Sequence, residues 1–114
     1  MAFYIVTMTH PDGPGWNEHV LEHVEYLLDL IDQGTLKASG PLKGTPLRAG
    51  FLIMVADSRE EIEKVVAGDP FAREDLIVEL TIEEWDPLFG AFGADSSKVL
   101  PPDMKPLAAR LGYQ

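Results

Sequence analysis

Apolar and polar residues change their period several times along this chain, and each change marks an element. "FYIVTMT", residues 3–9, is rich in β-branched and aromatic residues, and the prolines and glycines of the following "HPDGPG" stop it. This predicts a first strand and its turn. From Trp16 to Gln33 apolar residues recur at Trp16, Val20, Val24, Leu27 and Ile31, the three-and-four spacing of a helix with one buried face. Glu18, Glu22, Glu25, Asp29 and Asp32 fall on the opposite side, and Gly34 suits a left-handed C-terminal cap.

"LKASGPL", residues 36–42, alternates Leu36, Ala38, Gly40 and Leu42 with more polar neighbours, but Gly40-Pro41 interrupts regular pairing, so an edge or bulged strand is expected. "GFLIMVA", residues 50–56, is apolar at every position after the glycine, which predicts a strand buried on both faces. Ser58 followed by Glu61 is a capping box that opens a second helix, with Ile62, Val65 and Val66 inward and Gly68 at its end. "DPF" at 69–71 then breaks the chain, and "LIVELTIEEW", residues 76–85, reads as a last strand with Leu76, Val78 and Leu80 on one face. Residues 87–114 carry turn residues and a single short helix near the end, and no internal repeats occur.

The order strand, helix, strand, strand, helix, strand predicts an α+β, ferredoxin-like βαββαβ protomer, a four-stranded antiparallel sheet with both helices on one face. Residues 1–86 form this domain and 87–114 a C-terminal extension that packs on the domain or the dimer. The all-apolar strand at 50–56 implies that the second sheet face is covered too. A second copy of the sheet does this most cheaply, which predicts a two-fold homodimer. Phe89, Phe92 and Leu100 of the extension are a rival cover.

A chain of 114 residues with 46% hydrophobic and 25% charged residues has the balance of one globular domain. Nine Lys and Arg against nineteen Asp and Glu give a net charge of -10, which argues against a nucleic acid or an anionic membrane as partner. There is no cysteine, so disulfides, thiolate nucleophiles and Cys-ligated metals are excluded. With no basic leader before the first apolar residues and no apolar run near about 20 residues, the cytoplasm is the expected location.

Candidate chemistry concentrates in "HVLEHVEYL", residues 19–27, which sets His19 and His23 four residues apart on the first helix. His23 falls at the margin of the core stripe, where packing holds a side chain that still reaches a cleft, and His19 lies nearer to water. Three readings compete. His23 is a satisfied boundary residue, or a ligand with His19 and His10 to one metal ion, or an acid/base group. The metal reading lacks the Glu that makes H-E-x-x-H informative. The acid/base reading needs a carboxylate to fix the imidazole tautomer and stabilise the imidazolium. Asp69 is the candidate, since "GDPF" follows a helix stop where Phe71 anchors the turn, although a carboxylate there also serves as a local cap. Ser39 in "ASGPL" lacks the nucleophile elbow, and the glycines at 40, 44 and 50 lack the following helix of a phosphate cradle. Lys37 and Lys43 flank the "SGP" turn, as solvated lysines or as attractors of an anionic or phenolate substrate.

"HVEYLLDLIDQGTLKASGPL", "DSREEIEKVVAGDPFAREDL" and a final strand ending in Trp85 resemble the YciI-like (YCII) family of the dimeric α/β-barrel superfamily, over residues 3 to 86. The most specific elements are His23 within "HVEYL", "GPL" at 40–42 and "DPF" at 69–71. The resemblance implies a ferredoxin-like protomer, a homodimer with facing sheets, and a cleft in which His23 and Asp69 form the active-site pair. His19 has no counterpart in the pattern. "HPDGPGWNEH" and the length after Trp85 depart from it and leave the substrate open. The activity it suggests is of lyase or isomerase type on a small oxygenated ring, such as dehydrochlorination of a chlorinated hydroxyhydroquinone, with neither cofactor nor metal. On this expectation His23 moves the proton, Asp69 orients it, Tyr26 and Phe71 wall the substrate pocket, Ser39 donates a hydrogen bond and Lys37 helps from a distance. The alternatives are a non-catalytic dimeric module that binds small molecules, and a metalloprotein using the three histidines.

Overall fold

In the computed structural model, which describes residues 1–113, the first apolar run is strand β1 (Ala2–Thr9). It is followed by α1 (Gly15–Asp32), β2 (Leu36–Leu42), β3 (Ala49–Ala56), α2 (Arg59–Ala67), a short α3 (Pro70–Arg73) and β4 (Glu79–Trp85). The strands form one antiparallel sheet in the order β2-β3-β1-β4, the ferredoxin-like arrangement. β1 and β3 pair without interruption from Ala2 opposite Ala56 to Thr9 opposite Ala49. β2 slips by one residue between Leu36, opposite Met54, and Ala38, opposite Ile53, so Lys37 is the extra residue of a bulge.

Alternation along the two central strands separates the faces. Tyr4, Val6 and Met8 of β1 and Leu52, Met54 and Ala56 of β3 form the main core with Leu30, Leu36, Ile62, Val66 and Ile82. On the other face Phe3, Ile53 and Val55 are buried as well. β3 is therefore covered on both sides, as its unbroken apolar run predicts, and burial at these positions is complete within one chain.

α2 follows the sequence closely. Ser58 accepts a hydrogen bond from the Glu61 N–H, and Ile62 and Val66 are buried. α1 has the predicted extent, but its core face is rotated from the expected stripe. Leu30 is its one fully buried residue, with Tyr26 and Leu27 packed against the core, whereas Val24 and Ile31 are 43% and 50% exposed. The last strand starts at Glu79 rather than Leu76, and its inward residue is Ile82. Residues 76–78 instead link α3 to the sheet. Asp75 adopts a left-handed φ of 58°, which turns the chain so that the Leu76 N–H reaches the Phe71 carbonyl at 2.7 Å.

The chain divides into two units, Met1–Glu84 and Trp85–Gln114. The second contains two 3-10 turns and α4 (Ala108–Leu111), the short terminal helix the sequence suggests. Within it Asp86 accepts hydrogen bonds from the Ser97 N–H and hydroxyl, and the buried Tyr113 donates to the Leu88 carbonyl. No described helix is long and apolar enough to cross a membrane.

Candidate active site

α3 owes its start to Asp69. Pro70 fits the first helical position because its missing N–H is not needed there, and the Asp69 carboxylate accepts the Phe71 N–H at 2.9 Å. The cap therefore fixes a carboxylate that is only 1% exposed. The same carboxylate faces α1, where both oxygens lie within reach of His23 Nδ1, at 2.9 and 2.8 Å. An ionised carboxylate can only accept, so Nδ1 carries a proton, and in the neutral imidazole the lone pair is then on Nε2. The local cap and the orienting carboxylate, rivals in the sequence, are one group.

The His23 ring is held on a second side by Phe71, stacked at 4.2 Å between centroids and 21° between planes. Phe71 is 1% exposed and stands at the centre of an aromatic cluster, with Trp16 at 6.2 Å and His10 at 4.6 Å. His10 is itself buried, and its Nδ1–H donates to the Leu76 carbonyl at 2.7 Å. Burial lowers its pKa below the ordinary histidine value, against the smaller upward pull of that carbonyl.

These rings wall a cavity of about 600 Å³ between α1 and the sheet, within the range of small-molecule sites. One side is aliphatic: Val20, Val24, Leu27, Leu28 and Ile31 of α1 face it. The stripe that the sequence assigns to the core is thus largely a cavity wall, which explains its exposure. Ser39, Gly40, Pro41 and Leu42 of β2 complete the rim.

Of the residues singled out in the sequence, the structure brings His23, Ser39 and Phe71 to the cavity and sets Asp69 directly behind His23. Tyr26 and Lys37 lie elsewhere. The Tyr26 hydroxyl donates to the Val65 carbonyl at 2.6 Å, between α1 and α2, and burial followed by the nearby Asp69 charge raises its pKa. Lys37 is exposed on the β2 bulge. The three histidines have separate partners: His10 holds Leu76, His23 holds Asp69, and His19 lies 3.4 Å from Glu22 and 3.5 Å from Glu74. Among the described residues no group of three or more His, Cys, Asp or Glu is arranged to hold a metal ion. Trp16 and Arg48 also line the cavity, with the guanidinium 4.1 Å above the indole ring. Sequence reasoning placed Trp16 only in the core stripe and did not single out Arg48, since no local motif links residue 48 to a helix 32 positions earlier.

Fold and site together define an α+β protein of ferredoxin-like topology with a His-Asp pair at an apolar cavity. Residues 1–86 match the model of the YCII-related domain, and the chain belongs to that family. Among solved structures it is similar to the 5-chloro-2-hydroxyhydroquinone dehydrochlorinase TftG from Burkholderia phenoliruptrix AC1100, in complex with 2,5-dihydroxybenzoquinone. The identity is 24% and the TM-score 0.65, over 74% of this chain and 93% of that one. An uncharacterized NIPSNAP domain protein from Burkholderia xenovorans matches with TM-score 0.50 at 16% identity, over 81% and 97% of the two chains. A protein from Agrobacterium tumefaciens matches with TM-score 0.50 at 18% identity, over 76% and 93%. At these identities the likeness is one of fold. No curated protein matches the chain.

Proposed function

We propose that this protein is a cofactor-independent acid/base enzyme of lyase or isomerase type acting on a small oxygenated ring compound. The observation that carries the reading is the contact of His23 Nδ1 with the Asp69 carboxylate at the wall of an apolar cavity; a neutral imidazole held this way keeps its proton on Nδ1 and has Nε2 to act as a base. The structural likeness to TftG adds a reaction of the right kind, loss of HCl from a chlorinated hydroxyhydroquinone. In such a reaction His23 takes a ring-hydroxyl proton at Nε2 and returns it to the carbon that bears chlorine. Chloride then leaves with the C–Cl electron pair as a second hydroxyl proton passes to Nε2. The product is a hydroxyquinone, and the balance is net loss of HCl with no oxidant. Asp69 offsets the positive charge on the imidazole at each protonation. We further propose that the chain works in the cytoplasm as a homodimer, the assembly the family resemblance implies, which sedimentation of the full chain tests.

The direct test is chloride release from 5-chloro-2-hydroxyhydroquinone and a panel of hydroxylated aromatics. Wild type should turn over at least one of them. His23→Ala should lose all of that activity and Asp69→Asn most of it, about a hundredfold or more, with both variants folded. Nitrogen NMR should report the Nδ1–H tautomer of His23 in wild type and a mixture in Asp69→Asn. Full activity in His23→Ala would remove the mechanism. A second reading has its own observation, the cap that Asp69 gives to α3: the pair then merely pins α1 to α3 in a binding module. That reading expects a lowered melting temperature in His23→Ala and no turnover of any substrate by wild type.

A further inference from the structure

The cavity wall has one permanently charged feature that the His23–Asp69 pair does not use. None of its lining residues is Asp or Glu, and its single permanently charged residue is Arg48. This is the reverse of the chain as a whole, which carries ten net negative charges and repels anions at long range. Arg48 is also placed with some care by its neighbours. It stands just before β3, where its carbonyl accepts the His10 N–H at 2.8 Å. Its guanidinium lies over Trp16 at 4.1 Å, and among the described residues no carboxylate pairs with it. Stacking on an indole holds a guanidinium by its flat face and leaves the N–H groups along its edge available to a ligand.

The same stack continues inward. Trp16 lies against Phe71 at 6.2 Å and Phe71 against His23 at 4.2 Å, so guanidinium, indole, phenyl ring and imidazole follow one another as neighbours in the cavity wall. His10, which packs against Phe71 at 4.6 Å, is buried and has its pKa lowered by that burial, so it adds no second fixed cation. A ligand that fits this wall is flat, largely apolar, and anionic at one end.

We propose that Arg48 is the specificity-determining residue of this cavity and selects planar ring compounds that carry an anionic oxygen, a carboxylate or a phenolate. The inference rests on the cavity being the substrate site, but not on His23 acting as a base. Arg48 anchors the anion at the rim beside Trp16, and the ring lies along the apolar wall towards His23. Both anion types present oxygens to the guanidinium edge, the carboxylate with two in a plane and the phenolate with one.

The test is calorimetric titration of the full chain with matched pairs: benzoate against benzamide, and 4-nitrophenolate against 4-nitroaniline, above the ionisation range of the nitrophenol. At least one anion should bind about ten- to a hundredfold more tightly than its neutral partner, the worth of a charge-assisted hydrogen bond. Arg48→Gln should abolish that preference, and Arg48→Lys should retain part of it. A preference for benzoate alone identifies a carboxylate substrate, and one for nitrophenolate alone a phenolate. Equal binding of anion and neutral partner, survival of the preference in Arg48→Gln, or no binding of either anion at millimolar concentration would each overturn the proposal. Repeating the titration in His23→Ala separates the two readings. Anion preference kept in a variant that has lost no activity would sink the acid/base function while leaving the role of Arg48 intact.

Discussion

The two long helical segments of the domain carry similar apolar patterns and use them differently. α2, nine residues long, has Ile62 and Val66 fully buried, as its periodicity indicates. α1, twice that length, has only Leu30 fully buried. Among its other apolar residues Tyr26 packs against the core, Leu27 touches both core and cavity, and Val20, Val24, Leu28 and Ile31 face the cavity. An apolar stripe reports where water is unwelcome, and a ligand-binding wall satisfies that as well as a core does. The difference lies in what occupies the space opposite, and that is set by β2 and α3, which are distant in sequence.

The comparison breaks most sharply at Ile62, which has no exposed surface. Ile62→Ala should cost about 2–5 kcal/mol, the transfer term plus the cavity left behind. Urea denaturation gives the number. A loss under 1 kcal/mol would mean that α2 is not the anchored helix and that the contrast with α1 is false.

Next comes the contact between the helices. Tyr26 donates to Val65, and a Cβ built at Gly68 would come within 2.7 Å of the same hydroxyl. Tyr26→Phe removes one hydrogen bond and keeps the ring, so a loss of about 1 kcal/mol is expected. Turnover should be unchanged if Tyr26 serves only to join α1 to α2. A marked fall in activity with unchanged stability would return Tyr26 to the substrate pocket.

The element order and the double burial of β3 were legible because each depends on local period alone. The His23–Asp69 pair was legible for another reason. His23 sits at the edge of a helical stripe and Asp69 at a helix-breaking Asp-Pro, and family resemblance joined two sites 46 residues apart. The rotation of α1, the bulge that puts Lys37 outside the cavity, and the stack of Arg48 on Trp16 were not legible. Each is decided by which long-range neighbour fills a space. The late start of β4 has a more local cause: α3 takes residues 70–73 and the left-handed Asp75 redirects the chain.

His10 extends the comparison to acid. Its pKa is lowered chiefly by burial, so between the unfolded value of about 6.5 and the folded one, the unfolded chain binds the proton more readily. Its contribution to stability is therefore full above that unfolded value and is lost as the pH falls through the depressed folded pKa. His10→Asn keeps a donor for Leu76 and cannot titrate. Melting temperatures should fall more steeply with acidification in wild type than in this variant. Parallel slopes would show that His10 is not protected from its proton.

The smallest expected effect on stability is the most informative about α1. Leu28 is 54% exposed and lines the cavity, so Leu28→Ala should change stability by no more than about 0.5 kcal/mol. It should instead weaken the binding of any ring compound, because apolar wall is lost on the ligand's side. If Leu28→Ala destabilises the chain nearly as much as Ile62→Ala, this face is packed in solution. Dilution of the wild type should then separate the two explanations. Destabilisation that grows on dilution means that a second copy lies against α1, and destabilisation independent of concentration means that the helix turns this face to its own core.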